Sequence, residues 1–145
     1  MKIKILFCVV LISIFSATSI VTGHAAQNSE NISSDHVTVY YFHQNFRCIN
    51  CRNIEQYAKE VVEQSFVNEL LSGRLFFKAI NVEEKSNEHF VNDYQLYTRS
   101  LVLSLVKNGK EIESKNLTKV WEYLRNKSRF QRYVKDEITD YLNKL

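Results

Sequence analysis

A strand-like run followed at once by Cys48-Ile49-Asn50-Cys51 and then by a helical repeat constrains this chain most. His36 to Phe42 alternates Val37, Val39 and Tyr41 against Thr38, Tyr40 and Phe42. Both sets are largely apolar, as in a strand covered on both faces. After the cysteines, Ile54, Tyr57, Ala58, Val61, Val62 and Phe66 recur at helical spacing, opposite Glu55, Lys59, Glu60 and Glu63. The dithiol therefore sits where a buried strand hands over to an amphipathic helix beginning near Cys51. A helix N-terminus carries partial positive charge, which favours thiolate over thiol. The spacing also lets the second sulfur reach the first. A loop this short is a weak entropic staple, so chemistry explains the pair better than stabilisation does.

The remaining elements follow from the same periodicities. Leu75 to Val82 reads as a second buried strand after the turn at Ser72-Gly73. Glu83 to Tyr97 is polar, with Phe90, Val91, Tyr94 and Leu96 spaced for one face of a short helix. Leu101 to Val106 is a third strand. Asn108-Gly109 is a strong hairpin signal, with Lys110 to Ser114 returning. From Leu117 two helical stripes follow: Val120, Trp121 and Leu124, then Phe130, Tyr133, Val134, Ile138, Tyr141 and Leu142. The order β-α-β-α-β-β-α, with an extra C-terminal helical segment, implies an α/β three-layer fold around a central mixed sheet. Strands separated by helices are expected to pair in parallel, and the hairpin adds an antiparallel edge.

The N-terminus has the form of an export signal. Lys2 and Lys4 precede the uncharged apolar run Ile5 to Val21, and Gly23-His24-Ala25 offers small residues for cleavage before Ala26. Residues 1–25 are thus expected to be a signal peptide, with an uncleaved membrane anchor as the alternative. Residues 26–35 form a linker and 36–145 the domain. Losing Lys2 and Lys4 would reduce the formal charge from +3 to +1, which argues against a nucleic-acid partner. Export to a periplasmic or extracellular setting would place Cys48 and Cys51 where disulfides persist, and Cys8 would leave with the signal. Three glycines cannot build a phosphate-cradling loop, and no flavin or nicotinamide fingerprint is present.

The strand, dithiol, helix and hairpin together resemble the thioredoxin-like superfamily over about residues 36–115. Within it, the chain is similar to the small exported ArsF-type group, labelled nitrophenyl-compound nitroreductase subunit. That likeness is carried by Tyr40-Tyr41-Phe42-His43, Arg47-Cys48-Ile49-Asn50-Cys51-Arg52, Ser100-Leu101-Val102-Leu103, and Lys115-Asn116-Leu117 with Trp121. The resemblance makes Cys48 the attacking and Cys51 the resolving cysteine, with their disulfide as the only redox group. Thioredoxin-like proteins usually carry a cis-proline before the strand that ends in the hairpin. This chain contains no proline, and Leu101, or Ser100 if the alignment slips by one, stands in that substrate loop. A non-proline cis bond costs ~2.5–4 kcal/mol, so a trans peptide is expected there. The buried acid of thioredoxins is also missing, with Phe42 near its place.

Three neighbours are candidates for tuning the thiolate. Arg47 and Arg52 flank the pair, where positive charge would lower a thiol pKa. They are equally compatible with solvated surface positions. His43 could shuttle a proton or simply pack at the strand end. The tyrosines and Trp121 fall on helical or strand stripes and are expected to pack in the layers. The leading expectation is a thiol–disulfide oxidoreductase or electron-transfer protein acting on partner protein thiols or disulfides, or on a membrane electron donor. Alternatives are a soft-metal module using Cys48, Cys51 and His43, and a partner-binding domain with a structural disulfide.

Overall fold

The computed structural model describes residues 35–145. The expected signal segment and the expected linker, up to residue 34, lie outside the described residues. At the end of the linker, the Asp35 carboxylate accepts the Asn108 N–H at 2.7 Å, which fastens the domain entrance to the far hairpin.

Strand β1 (His36–His43) leads into helix α1 (Ile49–Ser65) and the single turn and a half of α2 (Val67–Leu71). Strand β2 (Leu75–Asn81) is followed by a 3₁₀ turn and the five-residue α3 (His89–Asp93). The hairpin β3 (Ser100–Lys107) and β4 (Lys110–Asn116) precedes α4 (Val120–Tyr123) and α5 (Lys127–Leu142). The sheet order is β2-β1-β3-β4, so β1 and β3 are central.

One face carries Val37, Val39, Tyr41, Leu101, Leu103 and Leu105, all essentially inaccessible. The register explains this grouping, because Val37 pairs with Leu105, Val39 with Leu103 and Tyr41 with Leu101. Helices α1 and α5 cover that face with Ile54, Ala58, Val62, Phe130, Val134 and Ile138. The other face presents Tyr40 and Phe42, against which Phe90 and Tyr94 of the α3 segment pack in tilted ring pairs at 5.3–6.1 Å between ring centres. The two-sided covering expected for β1 is therefore present, and so are both C-terminal helical segments.

The expected parallel pairing holds for β1 and β2 but not for β3, which runs antiparallel to β1. The connection does not carry the chain back along the sheet. Strand β2 ends at Asn81 beside His43, and β3 begins at Ser100 beside Phe42, at the same end of the sheet. A five-residue helix advances only about 7.5 Å. Returning the chain along an eight-residue strand would need roughly 26 Å. The short α3 segment crosses the face of β1 instead, and β3 runs back.

Two burial expectations also change. Strand β2 is an edge, and beyond buried Leu75 it is only partly covered, with Lys78 and Ala79 exposed. Trp121 is 38% exposed and not a core residue, its indole N–H donating to the Arg99 carbonyl oxygen at 3.3 Å. The hairpin is as expected: Asn108 and Gly109 take φ values of 51° and 73°, the paired left-handed residues of a type I′ turn.

Candidate functional site

The end of β1, the loop 44–47 and the first turn of α1 build the site. Helix α1 starts two residues earlier than its apolar repeat suggests, which makes Cys48 its N-cap. The Cys51 backbone N–H donates to Cys48 Sγ at 3.2 Å, so sulfur occupies the place that a serine or aspartate oxygen takes in ordinary caps. Cys48 and Cys51 are joined in a disulfide with their Cα atoms 5.1 Å apart. The two sulfurs differ sharply in access. Cys51 faces the core at 1% exposure, whereas Cys48 is half-buried at the surface. Only Cys48 is open to an incoming group. On reduction, the same N–H and the helix dipole would hold its thiolate.

Beneath the pair lies Tyr41. Its phenol donates to the Cys51 carbonyl oxygen at 2.7 Å in a buried contact. Burial pushes the Tyr41 pKa up, opposed by the nearby Arg47 and Arg99 guanidiniums. It therefore stays a hydrogen-bond donor at neutral pH. The group under Cys51 is thus this phenol and not Phe42, which turns to the opposite face against Phe90 and Tyr94. The parity of β1 carried that signal, since Tyr41 shares its side with Val37 and Val39.

Arg47 forms an ion pair with Glu55 one helical stretch along, and its guanidinium lies 5.9 Å from the Tyr41 ring centre. Arg52 is exposed and donates to the Arg47 carbonyl oxygen at 2.8 Å. Arg99, distant in sequence, donates to the Phe46 carbonyl oxygen at 3.1 Å and so braces the loop before Cys48. No local pattern marks Arg99; only the return of β3 beside β1 brings it here. His43 lies at the strand end with Nδ1 3.1 Å from the Gln44 carbonyl oxygen and its ring beside Tyr41. Among the described residues, no group of three or more His, Cys, Asp or Glu side chains is placed to hold a metal. With Cys48 and Cys51 joined in the disulfide, His43 is not gathered with them.

Ser100 and Leu101 are the first two residues of β3 and not a loop, with exposures of 4% and 0%. Antiparallel pairing with Phe42 and Tyr41 draws them into the sheet. No cis peptide occurs among the described residues, in line with the trans expectation at this position. Tyr97 and Thr98, just before them in the chain, are exposed.

The sheet order, the crossing α3 segment and a dithiol at the start of α1 after the central strand define a thioredoxin-like α/β fold. Among solved structures, the chain is similar to thioredoxin from Fasciola hepatica, at 22% identity and TM-score 0.39, over 62% of this chain and 79% of that one. It is also similar to a reduced thioredoxin pre-protein from Schistosoma mansoni, at 19% and 0.40, covering 64% and 80%. For thioredoxin from Trypanosoma brucei brucei the values are 15% and 0.38, covering 74% and 80%. No protein-family model and no curated protein matches the chain. At such scores the superpositions carry no weight of their own, and the class rests on strand order and the place of the dithiol.

Proposed function

We propose that this protein is an exported thiol–disulfide oxidoreductase that passes two electrons through Cys48 and Cys51. The unequal access of the two sulfurs carries this reading, since exchange needs one sulfur open to attack and another waiting behind it. In the oxidised state, a partner thiolate attacks Cys48 Sγ, forming a mixed disulfide while the Cys51 thiolate leaves and takes up a proton. A second partner thiolate then attacks the partner sulfur, and Cys48 leaves as thiolate. The partner departs as a disulfide, and two electrons have passed to the pair, leaving Cys48 as a thiolate and Cys51 as a thiol. The reverse direction runs through the same intermediate. No redox group besides the dithiol is invoked. The partner is a protein dithiol or disulfide, or a membrane electron donor. The signal-like run Ile5 to Val21 supports export. The finer likeness to the ArsF-type group rests on the residues around the cysteines and near Ser100 and Trp121.

A Cys51→Ser variant incubated with insulin is expected to accumulate a mixed disulfide through Cys48, visible by mass under non-reducing conditions. Wild type should reduce insulin in the presence of dithiothreitol, and Cys48→Ser should not exceed the uncatalysed rate. Equal activity of wild type and Cys48→Ser would remove the proposal. One observation favours a second reading, a partner-binding domain with a static disulfide: Ser100 and Leu101 are buried in β3, leaving no loop there to receive a substrate chain. A Cys48–Cys51 bond that resists millimolar reduced glutathione would support it over the enzyme.

A further inference from the structure

Beside the disulfide, along the exposed side of α1, lies an open depression of about 420 Å³ lined by Arg47, Arg52, Glu55, Gln56 and Lys59. Three of these groups are cationic and one is acidic. Glu55 is already engaged by Arg47. Arg52 meets no carboxylate among the described residues; it donates to the carbonyl oxygen of Arg47. Lys59 reaches Glu63 only at 3.6 Å, with both side chains more than half exposed. Arg99, bracing the loop before Cys48 through the Phe46 carbonyl oxygen, likewise meets no acid among the described residues. Between these cations, Phe46 and Ile49 stand 75% and 62% exposed on either side of Cys48. An apolar, cation-lined surface adjoining a reactive sulfur is complementary to an acidic chain with apolar residues near its cysteine.

We propose that the protein selects partner segments whose reacting cysteine is followed or preceded, about three residues away, by an aspartate or glutamate that docks on Arg52 and Lys59. This rests on the thiol-exchange reading and names the substrate class for it. The spacing comes from geometry. Along the axis from Cys48 at the N-cap, Arg52 lies about 6 Å away and Lys59 about 16 Å, so the space between the two cations, where one carboxylate meets both, is centred about 11 Å from Cys48. An extended partner spans that length in about three residues. Phe46 and Ile49 receive the apolar residues adjoining the partner cysteine. Selection by side chains also suits a site in which Ser100 and Leu101 are enclosed in β3.

The test uses full-length protein reduced with dithiothreitol and freed of it, and synthetic peptides carrying one cysteine capped as the mixed disulfide with thionitrobenzoate. Cys48 attacks the peptide disulfide and releases the coloured thiolate, so each rate is read directly. Dividing it by the rate for a neutral small thiol removes the intrinsic reactivity of each peptide. Peptides with glutamate three residues from cysteine should react about fivefold faster than their lysine counterparts at low ionic strength. The ratio should shrink as salt is added. Moving the glutamate next to the cysteine should lower the preference, and Arg52→Glu with Lys59→Glu should reverse it. Both side chains are exposed, and a far-ultraviolet spectrum checks that the variant stays folded. Equal normalised rates for the acidic and basic peptides in wild type would overturn this inference. Failure of the exchange reading is distinct: no peptide would then react faster with wild type than with Cys48→Ser.

Discussion

At the residue scale, the site depends on a contrast between two adjacent tyrosine and phenylalanine side chains of β1. Tyr41 points under Cys51, while Phe42 packs against Phe90 and Tyr94 on the opposite face. A phenol in place of an acid gives the first turn of α1 a donor to a backbone carbonyl, and it supplies no base. Tyr41→Phe removes that one buried hydrogen bond without leaving a large cavity. It is expected to cost about 1 kcal/mol in urea unfolding, with the exchange rate at Cys48 little changed. A rate loss of an order of magnitude would mean that the phenol acts on the sulfurs themselves. The cysteines, His43 and the flanking arginines were legible one by one, because chemistry-bearing residue types at short spacing are visible in a linear string. Arg99 was not, because its relation to Cys48 exists only through the pairing of β3 with β1.

At the scale of elements, α1 and α5 are joined by charge as well as by apolar packing. Glu60 accepts from Lys127 Nζ at 2.7 Å and from Gln131 Nε2 at 2.9 Å. These contacts, the one with Lys127 foremost, hold the Glu60 carboxyl below its ordinary range. A depressed folded-state pKa stabilises the fold above the unfolded value, and that contribution is lost as pH falls through the folded one. Acidification from about pH 6 to about pH 3 should therefore lower the melting temperature of wild type more than that of Glu60→Gln. Parallel curves for the two proteins would show that the pair contributes nothing. The helices themselves were readable from their apolar stripes, and the hairpin from Asn108-Gly109. The direction of β3 was not readable, since it turned on how short the helical part of the 82–99 segment is.

At the scale of the whole molecule, the domain is held by one continuous core on the α1 and α5 face of the sheet. Phe130 is fully buried there and meets Tyr57 of α1 edge-to-face at 5.6 Å. Phe130→Ala should cost about 3–5 kcal/mol in chemical denaturation, because the surrounding helices can close only part of the cavity. A loss below about 1 kcal/mol would mean that α5 docks independently of this contact. Sequence alone determined what depends on near neighbours: element types, the dithiol at the handover from β1 to α1, the two-faced burial of β1 and the Asn108-Gly109 hairpin. Each follows from local periodicity or from the conformational preferences of one or two residues. Tertiary structure decided which elements are edges, which way β3 runs, why Ser100 and Leu101 lie in the sheet, and that Tyr41 and Arg99 meet at the dithiol. Those outcomes depend on chain reach and strand pairing between residues far apart in the sequence, and no local pattern encodes such distances.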